Sequence, residues 1–209
     1  MSKVTVSIAA VSVMVTMGFT DNQAQDNLPT VEQQIEAAVQ AAPPNKRDGA
    51  KVLGYSNSGQ LVTLRNGSNE LICLSDDPES EGFHVACYYR ELEPFMKRGR
   101  ELRAQGLSRS KVDSIRKSEI EAGKLHYPDR PMALYSLSGP EDGYDYQAGE
   151  VLKANPLYVV YVPYATEEST GISSAPAGEG GSWLMEPGTP WSHIMIPGQP
   201  IDANNSADQ

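Results

Sequence analysis

The chain has 209 residues, 39% of them hydrophobic and 21% charged, with a formal net charge of −10 at pH 7. That length is enough for one domain with a true core. The acidic balance excludes general binding to nucleic acid or to anionic membranes, since both would be repelled.

Residues 1–24 read as an export signal: Lys3 at the start, a charge-free run over 4–19, and a polar exit ending in the small residue Ala24. The apolar run is shorter than the ~20 residues a membrane span needs, and no later stretch is apolar enough to span. The expected product is a soluble chain, secreted or periplasmic, with a domain over 25–196 and a disordered tail over 197–209.

Thr30-Val31-Glu32-Gln33 has the form of a capping box, with Thr30 as N-cap and Gln33 at N3. Val31, Ile35, Ala38, Val39 and Ala42 continue at helical spacing, and Pro43-Pro44 ends the helix. Three β-like runs follow at 50–55, 61–65 and 70–74, separated by Ser56-Asn57-Ser58-Gly59 and Asn66-Gly67-Ser68-Asn69. Both separators are turn sequences, so the three runs are expected to form an antiparallel meander. A fourth run covers 83–89. Leu92, Phe95, Gly99 and Leu102 then share one helix face up to Gly106, and a weakly amphipathic helix runs from Ser108 or Ser110 to Gly123. Strand-like runs at 132–137, 157–164 and 191–196 are joined by long loops over 138–156 and 165–190. Loops of that length are usually functional or disordered. The order gives an α+β fold: a β-meander and later strands, packed with an N-terminal helix and a basic helical hairpin.

Charge is unevenly spread. Residues 90–124 hold ten Lys/Arg and six Asp/Glu, whereas 125–209 hold two basic residues and eleven acids. The basic helices therefore either neutralise acidic loops of the same molecule or face an anionic partner such as a polyanionic glycan or an acidic protein. Arg100 and Arg103 mark that surface.

Four further features carry chemistry. Cys73 and Cys87 are the only cysteines, and in an exported chain a lone pair forms a disulfide. His84 lies three residues before Cys87, an offset that puts the two on opposite faces of a strand and argues against a catalytic thiol. The acids of residues 76–81 offer oxygen ligands for calcium, without EF-hand spacing. His193 and Met195 alternate with Trp191 on one strand face, with Met185 upstream, and imidazole plus thioether is a donor set for copper. Tyr158 and Tyr164 share strand parity as a contact surface for sugars, peptides or cell-wall fragments. No catalytic motif selects a pair of carboxylates, although Asp129-Arg130 forms a polar corner. The expectation is a monomeric exported binding protein with a protein or glycan partner and no required cofactor. The alternatives are a secreted hydrolase with an acidic site and a periplasmic copper-binding protein.

Overall fold

The computed structural model describes residues 28–176, 178 and 180–203; the export segment lies outside them. The first helix, α1, spans Val31–Ala38 and continues as a single 3-10 turn over Val39–Ala41. Its capping box forms as the sequence implies: Thr30 Oγ1 accepts from Gln33 N, and the Gln33 side chain accepts from Thr30 N. The inward stripe is largely the one expected: Ala38, Val39 and Ala42 are buried and Ile35 packs against the same core, while Val31 is exposed and Gln34, Ala37 and Ala41 join the buried face.

Four strands follow: β1 (Lys51–Tyr55), β2 (Leu61–Arg65), β3 (Leu71–Leu74) and β4 (Phe83–Tyr89). They do not form a meander. β1 pairs antiparallel with β2 but parallel with β3, so β2 lies at the sheet edge. Asn66-Gly67 is consequently no hairpin turn. It crosses beneath the start of β1, with Ser68 N and Asn69 N both donating to Gly49 O. Burial explains the choice: β3 buries three of its four residues, whereas β2 has none buried and exposes Val62 and Thr63. A strand that is fully buried on neither face is better placed at the edge than in the middle.

Helices α2 (Glu93–Ala104) and α3 (Arg109–Glu121) come next, joined by a turn in which Gly106 takes a left-handed φ of 76°. The sheet then resumes with β5 (Met132–Gly139). β6 (Tyr144–Asp145) and β7 (Glu150–Val151) form a separate ribbon. β8 (Lys153–Tyr161), the one-turn helix α4 (Glu167–Thr170), β9 (Trp183–Met185) and β10 (His193–Pro197) complete the order β2-β1-β3-β4-β5-β8-β10-β9. β11 (Ile201–Asp202) pairs with the start of β8, so residues 201–202 of the expected tail are ordered. The result is an α+β fold built on a large, mostly antiparallel sheet.

Side chains alternate across this sheet and divide it into two cores. On one face α1 packs over Val52, Cys73, Val85, Cys87 and Leu137. On the other, Leu92, Met96 and Tyr127 cover Leu53, Ile72, Tyr88 and Met132.

Candidate functional site

The cysteines stand directly opposite each other on β3 and β4 and are joined, as the sequence implies. Both are fully buried. They belong to one row running across the sheet: Val52, Cys73, Cys87, Tyr135, Tyr158 and Ile196 are successive register partners on β1, β3, β4, β5, β8 and β10. Towards β1 this row is roofed by α1. Beyond Cys87 the roof ends, and the two tyrosines form the floor of an open cleft.

That cleft has a volume of about 840 Å³ and runs between the 3-10 turn after α1, the outer face of β5 and β8, and the β7 and β11 segments. Tyr135 and Tyr158 meet edge-to-face with ring centroids 6.1 Å apart. Tyr158 is 44% exposed, a large fraction for an aromatic side chain standing in a sheet. Gly198 makes its posture possible, since a Cβ there would lie 3.2 Å from Tyr158 Cε2 and 2.8 Å from Pro156 Cβ. The charge lining the cleft is sparse. Arg47 is committed to the carbonyls of Ala42 and Gln40, which leaves Glu150 as the exposed acid. Burial pushes the Tyr135 hydroxyl above its usual range, so it remains a neutral donor.

Tyr164 does not share this surface. β8 ends at Tyr161, and Tyr164 sits beyond it in a left-handed turn (φ 59°), 58% exposed. The strand parity expected to join Tyr158 and Tyr164 is broken by that turn. Tyr161 faces the opposite core, where burial pushes it up to about 12.

A second cleft, about 710 Å³, lies at the other end of the α1 face. Asp76, Asp77, Glu79, Glu141 and Tyr146 line it. Asp76 Oδ1 accepts from His84 N at 2.8 Å, and Oδ2 accepts from the Tyr146 hydroxyl at 3.4 Å. Burial is the main reason its carboxyl sits above the ordinary value, and the two hydrogen bonds oppose that shift. Asp77 closes its own turn by accepting from Glu79 N. Among the described residues no three His, Cys, Asp or Glu side chains converge as a metal site, so the acids of residues 76–81 do not gather around one point as calcium would require.

The proposed copper donors lie on the face opposite the tyrosine cleft. His193 is the register partner of Met185, and Met195 that of Trp183. The imidazole Nδ1 lies 2.7 Å from Trp191 O, which fixes it as the protonated nitrogen. Tyr161 packs 5.1 Å away, ring centroid to ring centroid, and burial lowers the imidazole pKa. Met185 and His193 are thus brought together, with Met195 one pleat further along. His84 is remote: on β8 its row passes through Asn155 while that of His193 passes through Tyr161, roughly 20 Å apart at the usual strand rise.

Among the described residues no ion pair joins the basic hairpin to the C-terminal loops. Its ion pairs are mostly internal. Glu119 receives Arg98 through both Nε and Nη2, Glu93 receives Arg100 at 2.8 Å, and Asp113 receives Arg116 at 2.6 Å. Arg100 also reaches the buried Tyr88 hydroxyl at 3.1 Å. Arg130, at the polar corner, pairs with Glu91.

Two residues had no warning in the sequence. Gln34 reads as a solvent-facing helix residue yet is buried, and Arg116 is 9% exposed with its guanidinium 3.8 Å above the Phe95 ring and 5.8 Å from Trp191. The only hint for Arg116 was Gly99 on the facing helix, which leaves room for it.

No protein family, no curated protein and no solved structure matches this chain.

Proposed function

We propose that this is an exported binding protein whose ligand lies in the cleft floored by Tyr135 and Tyr158. The observation that carries this reading is the row of register partners running from a buried disulfide to two tyrosines left without a roof. Rigid aromatic faces with polar tips offer large contact area at little entropic cost. The sparse charge favours an uncharged ligand with apolar faces, and a neutral glycan has that chemistry. Export is supported by the Lys3-to-Ala24 pattern and by a disulfide, which persists in oxidising compartments. No helix among the described residues is long and apolar enough to cross a membrane. N-terminal sequencing of exported protein should begin after Ala24, and an intact Met1 would overturn cleavage.

The binding test is a panel of neutral oligosaccharides (maltohexaose, cellohexaose, chitohexaose) titrated against the protein, with the Tyr135 and Tyr158 ring resonances followed by NMR. Binding should shift both. Tyr158→Ala should weaken it about tenfold or more, the loss of one contact residue of about 1.4 kcal/mol, and leave the unfolding midpoint unchanged. A panel in which no sugar moves either ring overturns the glycan reading.

A second reading rests on the other cleft. Asp76 with its raised carboxyl, beside Asp77 and Glu141, supports a hydrolase that protonates a leaving group. Shortened oligosaccharides formed by the wild type and not by Asp76→Asn would favour that reading. An unchanged panel after prolonged incubation would sink it.

A further inference from the structure

The arginines of the helical hairpin are not equally provided with counter-charges. Arg98 and Arg100 each have a carboxylate at 2.6–2.8 Å. Two others, Arg109 and Arg116, share one. Asp113 accepts Arg116 at 2.6 Å and lies 3.9 Å from Arg109. Arg103 has no carboxylate within ion-pair distance among the described residues; the charges of Arg116, Arg100 and Arg109 act on it and Asp113 opposes them from further off.

The geometry draws two of these cations to one point. A Cβ built on Gly99 would lie 2.8 Å from Arg116 Nη1 and 3.4 Å from Arg103 Nη1. Two guanidinium nitrogens therefore reach towards the same spot above a glycine, where like charges repel unless an anion lies between or beside them. Donors also outnumber acceptors here: Arg116 Nε is buried with no hydrogen-bond partner. The nearby start of α3 adds to the imbalance. Ser108 makes no side-chain cap, and the first turn carries no acid, so the positive end of the helix is left uncompensated.

We infer that Arg103, Arg109 and Arg116 form an oxyanion-binding site on the α2–α3 surface, facing away from the tyrosine cleft. The ligand class is a tetrahedral oxyanion, phosphate or sulfate, presenting two oxygens to the planar fork of Arg103. It is carried either free or as the terminal group of a larger molecule. Arg116 is held by Asp113 and by the Phe95 and Trp191 rings, so it supplies a fixed charge. Arg103, exposed at the end of α2, supplies the adjustable fork.

The test measures the thermal midpoint of the whole chain against inorganic phosphate, sulfate and phenyl phosphate, with chloride holding ionic strength constant. Wild type should show a saturable rise of about 2–5 °C, the size that ligand linkage gives for a chain of this length. Arg103→Gln should lose that rise, and because the side chain is exposed and makes no ion pair its own midpoint should stay near that of the wild type. Lys111→Gln, an exposed charge on α3, should keep the rise. Phenyl phosphate acting at lower concentration than phosphate would assign the ion to the end of a larger molecule; equal or weaker action would assign it to the free ion. A flat wild-type response overturns the site, as does an equal response in Arg103→Gln.

Discussion

Gln34→Ala should be the most damaging single change on α1, because the side chain joins three segments. Its Nε2 donates to Pro29 O at 2.9 Å and to Tyr55 O at 3.1 Å. Its Oε1 accepts from Tyr55 N at 2.8 Å and from Ser75 Oγ at 3.3 Å. Gly54 is shaped to this amide, since a Cβ there would lie 2.6 Å from Gln34 Oε1. Truncation strands four polar groups. Pro29 O borders the acidic cleft and can recover water, whereas Ser75 is buried and Tyr55 N loses its acceptor beneath the helix. At about 1–3 kcal/mol for each buried group left unpaired, less a few tenths for the better helix propensity of alanine, the cost is about 3 kcal/mol. For a domain of this size that lowers the melting temperature by about 6–12 °C. Urea unfolding followed by circular dichroism measures it, with exposed Glu32→Ala as a control expected to stay within about 0.5 kcal/mol. A Gln34→Ala variant as stable as the control would refute the claim that this amide fastens α1 to the sheet.

Replacing Cys73 and Cys87 together by alanine should cost about 3 kcal/mol, the chain-entropy value for a loop of this length, and because their row continues into Tyr135 and Tyr158 it should also broaden those ring resonances. A loss below about 1 kcal/mol with unchanged rings would contradict both statements. Asp76 sets a pH dependence. Its carboxyl is raised in the fold, so its contribution to stability is complete below the unfolded pKa and is lost as pH rises through the folded one. Asp76→Asn, which keeps an acceptor for His84 N, should therefore gain on wild type between about pH 3 and 6. Urea midpoints that keep a constant difference across that range, or in which wild type gains on the variant as pH rises, would show the sign to be wrong.

Strand positions were legible because turn residues and β-branched runs mark them locally: β2 and β4 fall at residues 61–65 and 83–89 in sequence and structure alike. The pairing of β3 with β1 was not legible. It depends on which strands can bury both faces, and Asn66-Gly67 suits a hairpin and a crossover equally well. Tyr158 was legible as a contact residue, but its grouping with Tyr164 failed because strand parity holds only while the strand lasts, and β8 stops at Tyr161. The disulfide followed from compartment logic alone. Tyr135 was hidden in the sequence because its exposure comes from α1 stopping short of it, which no local pattern records.

The placement of charge has a physical reason. A chain of net charge −10 with a basic hairpin might be expected to fold its acidic loops onto that hairpin. Instead, Glu93, Glu101, Asp113, Glu119 and Glu121 of the hairpin itself answer most of its cations. Pairing within one supersecondary unit needs no long loop to be ordered, and so costs less conformational entropy than drawing partners from residues 165–190. The acids near Asp76 line the cleft at one end of the α1 face, and Asp77 there bonds the Tyr55 hydroxyl, on which the Arg100 charge also acts. Burial, more than the neighbouring Asp77, is what raises the Asp76 carboxyl there. The fold thus presents an arginine-rich helical surface whose cations are mostly paired among themselves with local acids, and elsewhere an acidic cleft and an almost uncharged aromatic one.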